Sequence, residues 1–126
     1  MHFRTKVKMP LHWGPYAVLV REVADFARVC GQHDYLAMPE IIDDLCEDVR
    51  LASGLELRSV FEEGWKPAMV EFVAPAGESA PFALAIAPCY LRECALNGRP
   101  GRGAVWCFDG RNRPVPPDHI IGVEWV

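Results

Sequence analysis

Cys89, Cys94, Cys107 and His119 are the side chains of this sequence best suited to a metal, since thiolate and imidazole are the usual zinc donors. Their spacing argues against a zinc knuckle, where ligands come in pairs roughly two to four residues apart on tight turns. Cys89 and Cys94 are held apart on a segment expected to be helical, and the other two stand alone. Buried thiols explain the same residues, because free cysteine is among the most buried side chains. With Cys30 and Cys46 the cysteines number five, an odd and scattered set with three inside apolar segments, which suits reduced thiols better than a disulfide framework. No metal or other cofactor is expected.

His12, His33 and His119 fall in loops or near element ends, close in sequence to Asp34, Glu40 or Asp118, so each is a candidate general base. A nucleophile would need such a base within hydrogen-bond reach. Ser53, Ser59 and Ser79 read instead as a helix end, a strand position and a turn, and none sits in a nucleophile elbow. The expectation is a non-enzymatic protein, with a small hydrolase or zinc protein as the second alternative.

Arg99, Arg102, Arg111 and Arg113 are interleaved with Gly98, Gly101, Gly103 and Gly110. Guanidinium groups and glycine amides together can cradle a phosphate or follow a nucleic-acid backbone. The order matches no P-loop or dinucleotide turn. Trp106 and Phe108 could stack bases, although alternating aromatics suit a core strand equally. Nucleic-acid or anion binding through 99–113 is therefore the alternative function.

Charge is distributed unevenly. Segment 34–63 holds nine acids against Arg50 and Arg58, a balance of minus seven, whereas 92–113 holds five arginines against Glu93 and Asp109. Asp43, Asp44, Glu47 and Asp48 crowd one predicted helix, and Glu56, Glu62 and Glu63 extend the acidity. Phosphates would repel that helix, which excludes a helix-turn-helix reader built on it. Solvation alone produces acidic helix faces. The functional reading is a surface that steers the chain onto a basic partner, as small acidic inhibitors and immunity proteins do, the partner being a nucleic-acid-handling protein or a toxin. Trp13 and Trp65 lie in turns beside Gly and Pro, as interface anchors or as clamps over loop ends. The expected partner-binding set is Asp43, Asp44, Glu47, Asp48, Glu62, Glu63 and Trp65.

The elements that must position these groups follow from periodicity. In a chain of 126 residues, 51% apolar and 24% charged with net charge −4, a single domain over 1–126 can bury one core. No apolar run approaches the roughly 20 residues of a membrane span, and residues 1–8 alternate charged with apolar side chains where a signal peptide needs a continuous apolar stretch. No membrane association and a cytoplasmic location are expected.

Period two over 3–9 predicts a strand. Steps of three and four from Tyr16 to Cys30 predict a helix ended by Gly31, and Ile41, Ile42, Leu45, Val49 and Ala52 predict a second between Pro39 and Gly54. The two are expected to form a helical hairpin. Strands are expected over 55–61, 68–74, 82–87, 104–108 and 120–126, with turns at 75–79 and at Asp109-Gly110, a return over 113–115, and a short helix over 88–97. The fold class is α+β, an N-terminal strand and helical hairpin packed on a mostly antiparallel sheet.

Overall fold

The computed structural model describes residues 2–74 and 76–126, with the side chains of 2, 12 and 76–79 set aside. The fold is α+β: about half of the chain is helical, with two small antiparallel sheets. The elements are α1 (His2–Val7), β1 (Tyr16–Val18), α2 (Glu22–Asp25), α3 (Ala27–Cys30), α4 (Glu40–Ser53), α5 (Arg58–Gly64), β2 (Ala68–Phe72), α6 (Ala76–Asn97), β3 (Cys107–Asp109) and β4 (Ile120–Trp125). Single 3-10 turns occupy Pro10–His12, Arg102–Ala104 and Pro117–His119.

α4 forms where its apolar spacing predicts. Pro39 caps its start, and Gly54 ends it at φ 74°, a left-handed conformation that glycine adopts without a side-chain penalty. Gly31 closes α3 in the same way at φ 72°. The expected N-terminal strand is instead α1. A short alternating segment carries too little pattern to specify a strand without a partner, and α1 is held against α4 by Lys6, whose Nζ lies 2.5 Å from Glu40 and 2.7 Å from Asp44. α4 therefore packs on α1, not in the predicted hairpin with the preceding helix.

That preceding helix is itself divided. Tyr16–Val18 is drawn out as β1 by antiparallel pairing with β3, Tyr16 facing Asp109 and Val18 facing Cys107. The remainder breaks at Phe26 (φ −116°, ψ 30°) into α2 and α3. Val23 and Cys30 from these helices and Ala104 from the turn after α6 form a buried cluster, flanked by Val18, Val20, Tyr90 and Val105, and Ala27, Met38, Cys46 and Ile86 are buried besides.

Residues 58–64 are helical, where a strand was expected over 55–61. The Glu56 carboxylate accepts the Arg58 amide hydrogen at 3.0 Å at the start of α5, and the ladder that would have recruited this segment is taken by β4, which pairs with β2 from Ala68–Trp125 to Phe72–Ile120. The predicted strand over 82–87 and helix over 88–97 are one helix, α6, with Pro81 and Pro88 inside it. A continuous apolar run has no period to separate helix from strand, and its alanines favour helix. Of the turn expected over 75–79, Pro75 lies outside the described residues and 76–79 open α6.

The turn after β3 falls two residues beyond the expected one: Arg111 (φ 48°) and Asn112 (φ 61°), not Asp109 and Gly110, take the left-handed central positions, and Arg113 N donates to Gly110 O at 2.9 Å. No strand returns over 113–115, and the antiparallel partner of β3 is β1. The expected single sheet is thus two two-stranded sheets, β1–β3 and β2–β4. Phe72 and Phe108 meet edge to face at 5.8 Å between ring centroids, and Arg21 pairs with Glu124 at 2.8 Å.

Candidate functional site

The carboxylates of α4 are largely engaged by the chain's own cations. Glu40 and Asp44 share Lys6, Tyr35 Oη donates to Glu40 at 3.0 Å, Asp43 pairs with Arg58, and Glu47 receives two hydrogen bonds from Arg50 at 2.7 and 2.8 Å. Asp44 Oδ2 is buried beside Lys6 Nζ but not aligned for a hydrogen bond. Of the negative charge predicted to face a partner from this helix, most is locally neutralised.

The acidity of the next element is different. Glu62 and Glu63 are exposed on α5, a helix that buries none of its seven residues. Among the described residues neither carboxylate accepts a hydrogen bond or joins an ion pair. Trp65 follows at the helix end, 51% exposed, with its ring edge-on to Phe61 at 5.2 Å between centroids. Val60 on the same helix and Leu55 before it are also exposed. Two free carboxylates and a tryptophan are thereby brought together on one peripheral element. Trp13 is a loop clamp: its Nε1 donates to Lys6 O at 3.2 Å.

The Lys6–Glu40–Tyr35 cluster makes stability depend on pH at both ends. The hydrogen bond from Lys6 lowers the Glu40 pKa from its ordinary 4.5, against burial and with help from Tyr35. Burial raises Tyr35 from 10.0 to about 12, and its hydrogen bond to Glu40 adds to the shift. For Lys6, burial works downward but is outweighed by Asp44 and Glu40, which raise its pKa. A carboxylate with a depressed folded pKa stabilises the fold above its unfolded value and loses that contribution as pH falls through the folded value. A phenol or amine with a raised one stabilises below its unfolded value and loses it as pH rises. The melting temperature is expected to be flat between about pH 5 and 10 and to fall on both sides. Thermal melts against pH check this, and Tyr35→Phe should shallow the alkaline fall and remove the latest-ionising phenol from the absorbance titration.

The arginine segment is divided between two turns: Arg99 and Arg102 leave α6, whereas Arg111 and Arg113 lie after β3. The glycine amides that could cradle a phosphate are occupied from within. Glu93 Oε2 accepts from Gly101 N at 2.7 Å and Oε1 from Gly103 N at 2.9 Å. Arg102 lies over Gly31, and Arg113 Nε donates to Gly110 O at 3.3 Å. Trp106 stacks on Phe82 at 4.7 Å between ring centroids, and Phe108 packs edge to face against Phe72 at 5.8 Å, so each ring already has an aromatic partner within the chain.

The sulfur and imidazole groups do not converge. Among the described residues no three of His, Cys, Asp or Glu gather in a metal-holding arrangement. Cys107 Sγ donates to Gln32 Oε1 at 3.6 Å, Cys94 is half-buried and Cys89 exposed. His33 Nε2 is 2.7 Å from Met38 O with its ring edge-on to Tyr35, which explains it as a loop fastener. The side chain of His12 lies outside the described residues. Ser53 Oγ donates to Val49 O at the end of α4.

The two sheets face each other across an open cleft of about 1330 Å³, lined by Tyr16, Val18, Val70, Phe72, Phe108 and Val123 among others. Its walls come from the non-sequential pairings β1–β3 and β2–β4 together with residues of α2, α3 and segment 32–36, and no local pattern signals a cleft between them. No described helix is long and apolar enough to cross a membrane. Compared with family models, curated proteins and solved structures, the chain matches none.

Proposed function

We propose that this chain is a non-enzymatic protein-binding module that docks on a basic surface of another protein through α5 and the turn after it. The observation that carries the reading is the uncompensated pair Glu62 and Glu63 beside half-exposed Trp65, on a helix with no buried residue. Unpaired carboxylates keep their full field in solvent, so they steer a basic partner, whereas α4 has spent most of its charge on Lys6, Arg50 and Arg58. Tryptophan supplies the large apolar contact that commonly dominates interface energetics. A small acidic inhibitor acting on a nucleic-acid-handling protein or a toxin would use a surface of this kind. The alternative of nucleic-acid or anion binding through Arg99, Arg102, Arg111 and Arg113 has less support, because Glu93 fills the amides of that loop.

The test begins with in-cell crosslinking from a photoreactive group at position 63, followed by titration of the recovered partner with purified protein. A partner basic at the crosslinked site, bound at least tenfold more weakly by Glu62→Lys with Glu63→Lys and by Trp65→Ala, supports the proposal. A partner whose affinity ignores all three substitutions, or whose affinity does not fall with salt, removes it.

A further inference from the structure

We propose that α1 is an intramolecular strap, a short basic segment that sits on the acidic face of α4 in place of a basic partner and comes away without unfolding the rest of the chain. The chemistry of the displacing group rests on the reading of this chain as a module for a basic partner; the release of the strap does not.

The charges are segregated as such an exchange requires. Residues 2–9 carry Arg4, Lys6 and Lys8, and the first acid of the sequence is Glu22, whereas 40–48 holds five acids and no cation. α1 packs on α4, and Lys6 Nζ lies 2.5 Å from Glu40 and 2.7 Å from Asp44. These two carboxylates stand one turn apart, on one face of the helix. Asp43 and Glu47 are held by Arg58 and Arg50, neither of which belongs to α1. Departure of α1 therefore returns the charge of Glu40 and Asp44 to the surface and leaves the other pairs intact.

α1 is also held weakly. It has six residues, fewer than the roughly 12 at which an isolated helix becomes even marginal in water, so it is helical only while α4 supports it. From Phe3 to Val7 no side chain is buried: Phe3 and Lys6 are half-buried, and the others are exposed. The Lys6, Glu40 and Asp44 side chains keep 35, 46 and 22% of their surface in water, and ion pairs this wet contribute little to stability. Beyond them, Met9 N and Trp13 Nε1 donate to Lys6 O at 3.2 Å from an exposed turn. The cluster of Val23, Cys30 and Ala104 takes nothing from α1. An element that buries no side chain opens at far less cost than the core does. Being tethered, it faces α4 at a roughly millimolar effective concentration, which a basic segment of the partner must outcompete.

Lys6→Glu in the full chain sets a carboxylate against Glu40 and Asp44 and is expected to release the strap. The NMR Cα shifts of 3–7 should move to coil values, while those of α4 and the cooperative thermal transition persist. Helical shifts retained over 3–7, or a variant that unfolds as a whole, overturn the proposal. The uncovered face is read with a synthetic peptide of residues 2–9 as the probe. The peptide should bind the Lys6→Glu chain at least about tenfold more tightly than the wild-type chain, and adding Glu40→Gln with Asp44→Asn should abolish that gain. Equal binding to the wild-type and Lys6→Glu chains, or a gain that survives loss of both carboxylates, overturns the proposal as well. Neither measurement involves the partner, so a failure here is distinct from a failure of the docking role of α5.

Discussion

Val23→Asp is expected to unfold the protein at ambient temperature. Val23 is 1% exposed at the centre of the cluster with Cys30 and Ala104, and it joins α2 to α3 and to the turn that follows α6. An uncompensated charge in such a place costs about 3–5 kcal/mol, and removing the valine side chain forfeits about 1.5–3 kcal/mol of burial. Whole-domain stabilities are about 5–15 kcal/mol, and a core this small belongs near the lower bound. Glu22 and Asp25 on the same helix oppose a new carboxylate and keep it from finding relief. Denaturant titration followed by circular dichroism reads the outcome: Val23→Ala should retain a cooperative transition shifted by about 1–3 kcal/mol, and Val23→Asp should show none. A wild-type midpoint for Val23→Asp would mean that the fold does not depend on this cluster.

Gly110→Ala should destabilise by about 1–3 kcal/mol for a reason unrelated to burial. A Cβ at this position would lie 2.5 Å from Pro15 Cδ and 3.0 Å from Pro15 Cγ and N. The backbones are held this close because Gly110 N donates to Pro15 O at 2.8 Å and Asn112 N to Gly14 O at 2.7 Å. Relief of the contact must separate β1 from β3, and with them one wall of the cleft. Gly64→Ala is the matched control: no atom lies within 4 Å of its added Cβ, and its effect should stay within about 0.5 kcal/mol. Thermal melts of the two variants side by side distinguish close approach from a general intolerance of glycine replacement.

Gly110 also illustrates how a correct local signal can have a different cause. Asp109-Gly110 does announce a turn, but the left-handed positions belong to Arg111 and Asn112, and the glycine is required by the neighbouring strand. The acidic site behaves similarly. That 34–63 is strongly negative is plain from composition; that Lys6, Arg50 and Arg58 neutralise α4 while Glu62 and Glu63 remain unpaired depends on where α1 and α5 fold.

What the amino-acid order determined alone is the α+β class, the helix from Glu40 to Ser53 with its glycine stop, and the strands near 68–72 and 120–125. In each, period and punctuation agree within a single segment. Tertiary structure decided the rest: that 2–7 is helical because α4 receives it, that 16–18 is a strand because β3 pairs with it, and that 76–97 is one helix despite its prolines. The physical reason is that short or uniformly apolar segments carry little conformational preference of their own. Their structure is set by partners distant in the chain, and those same partners determine which charges and apolar faces stay in water.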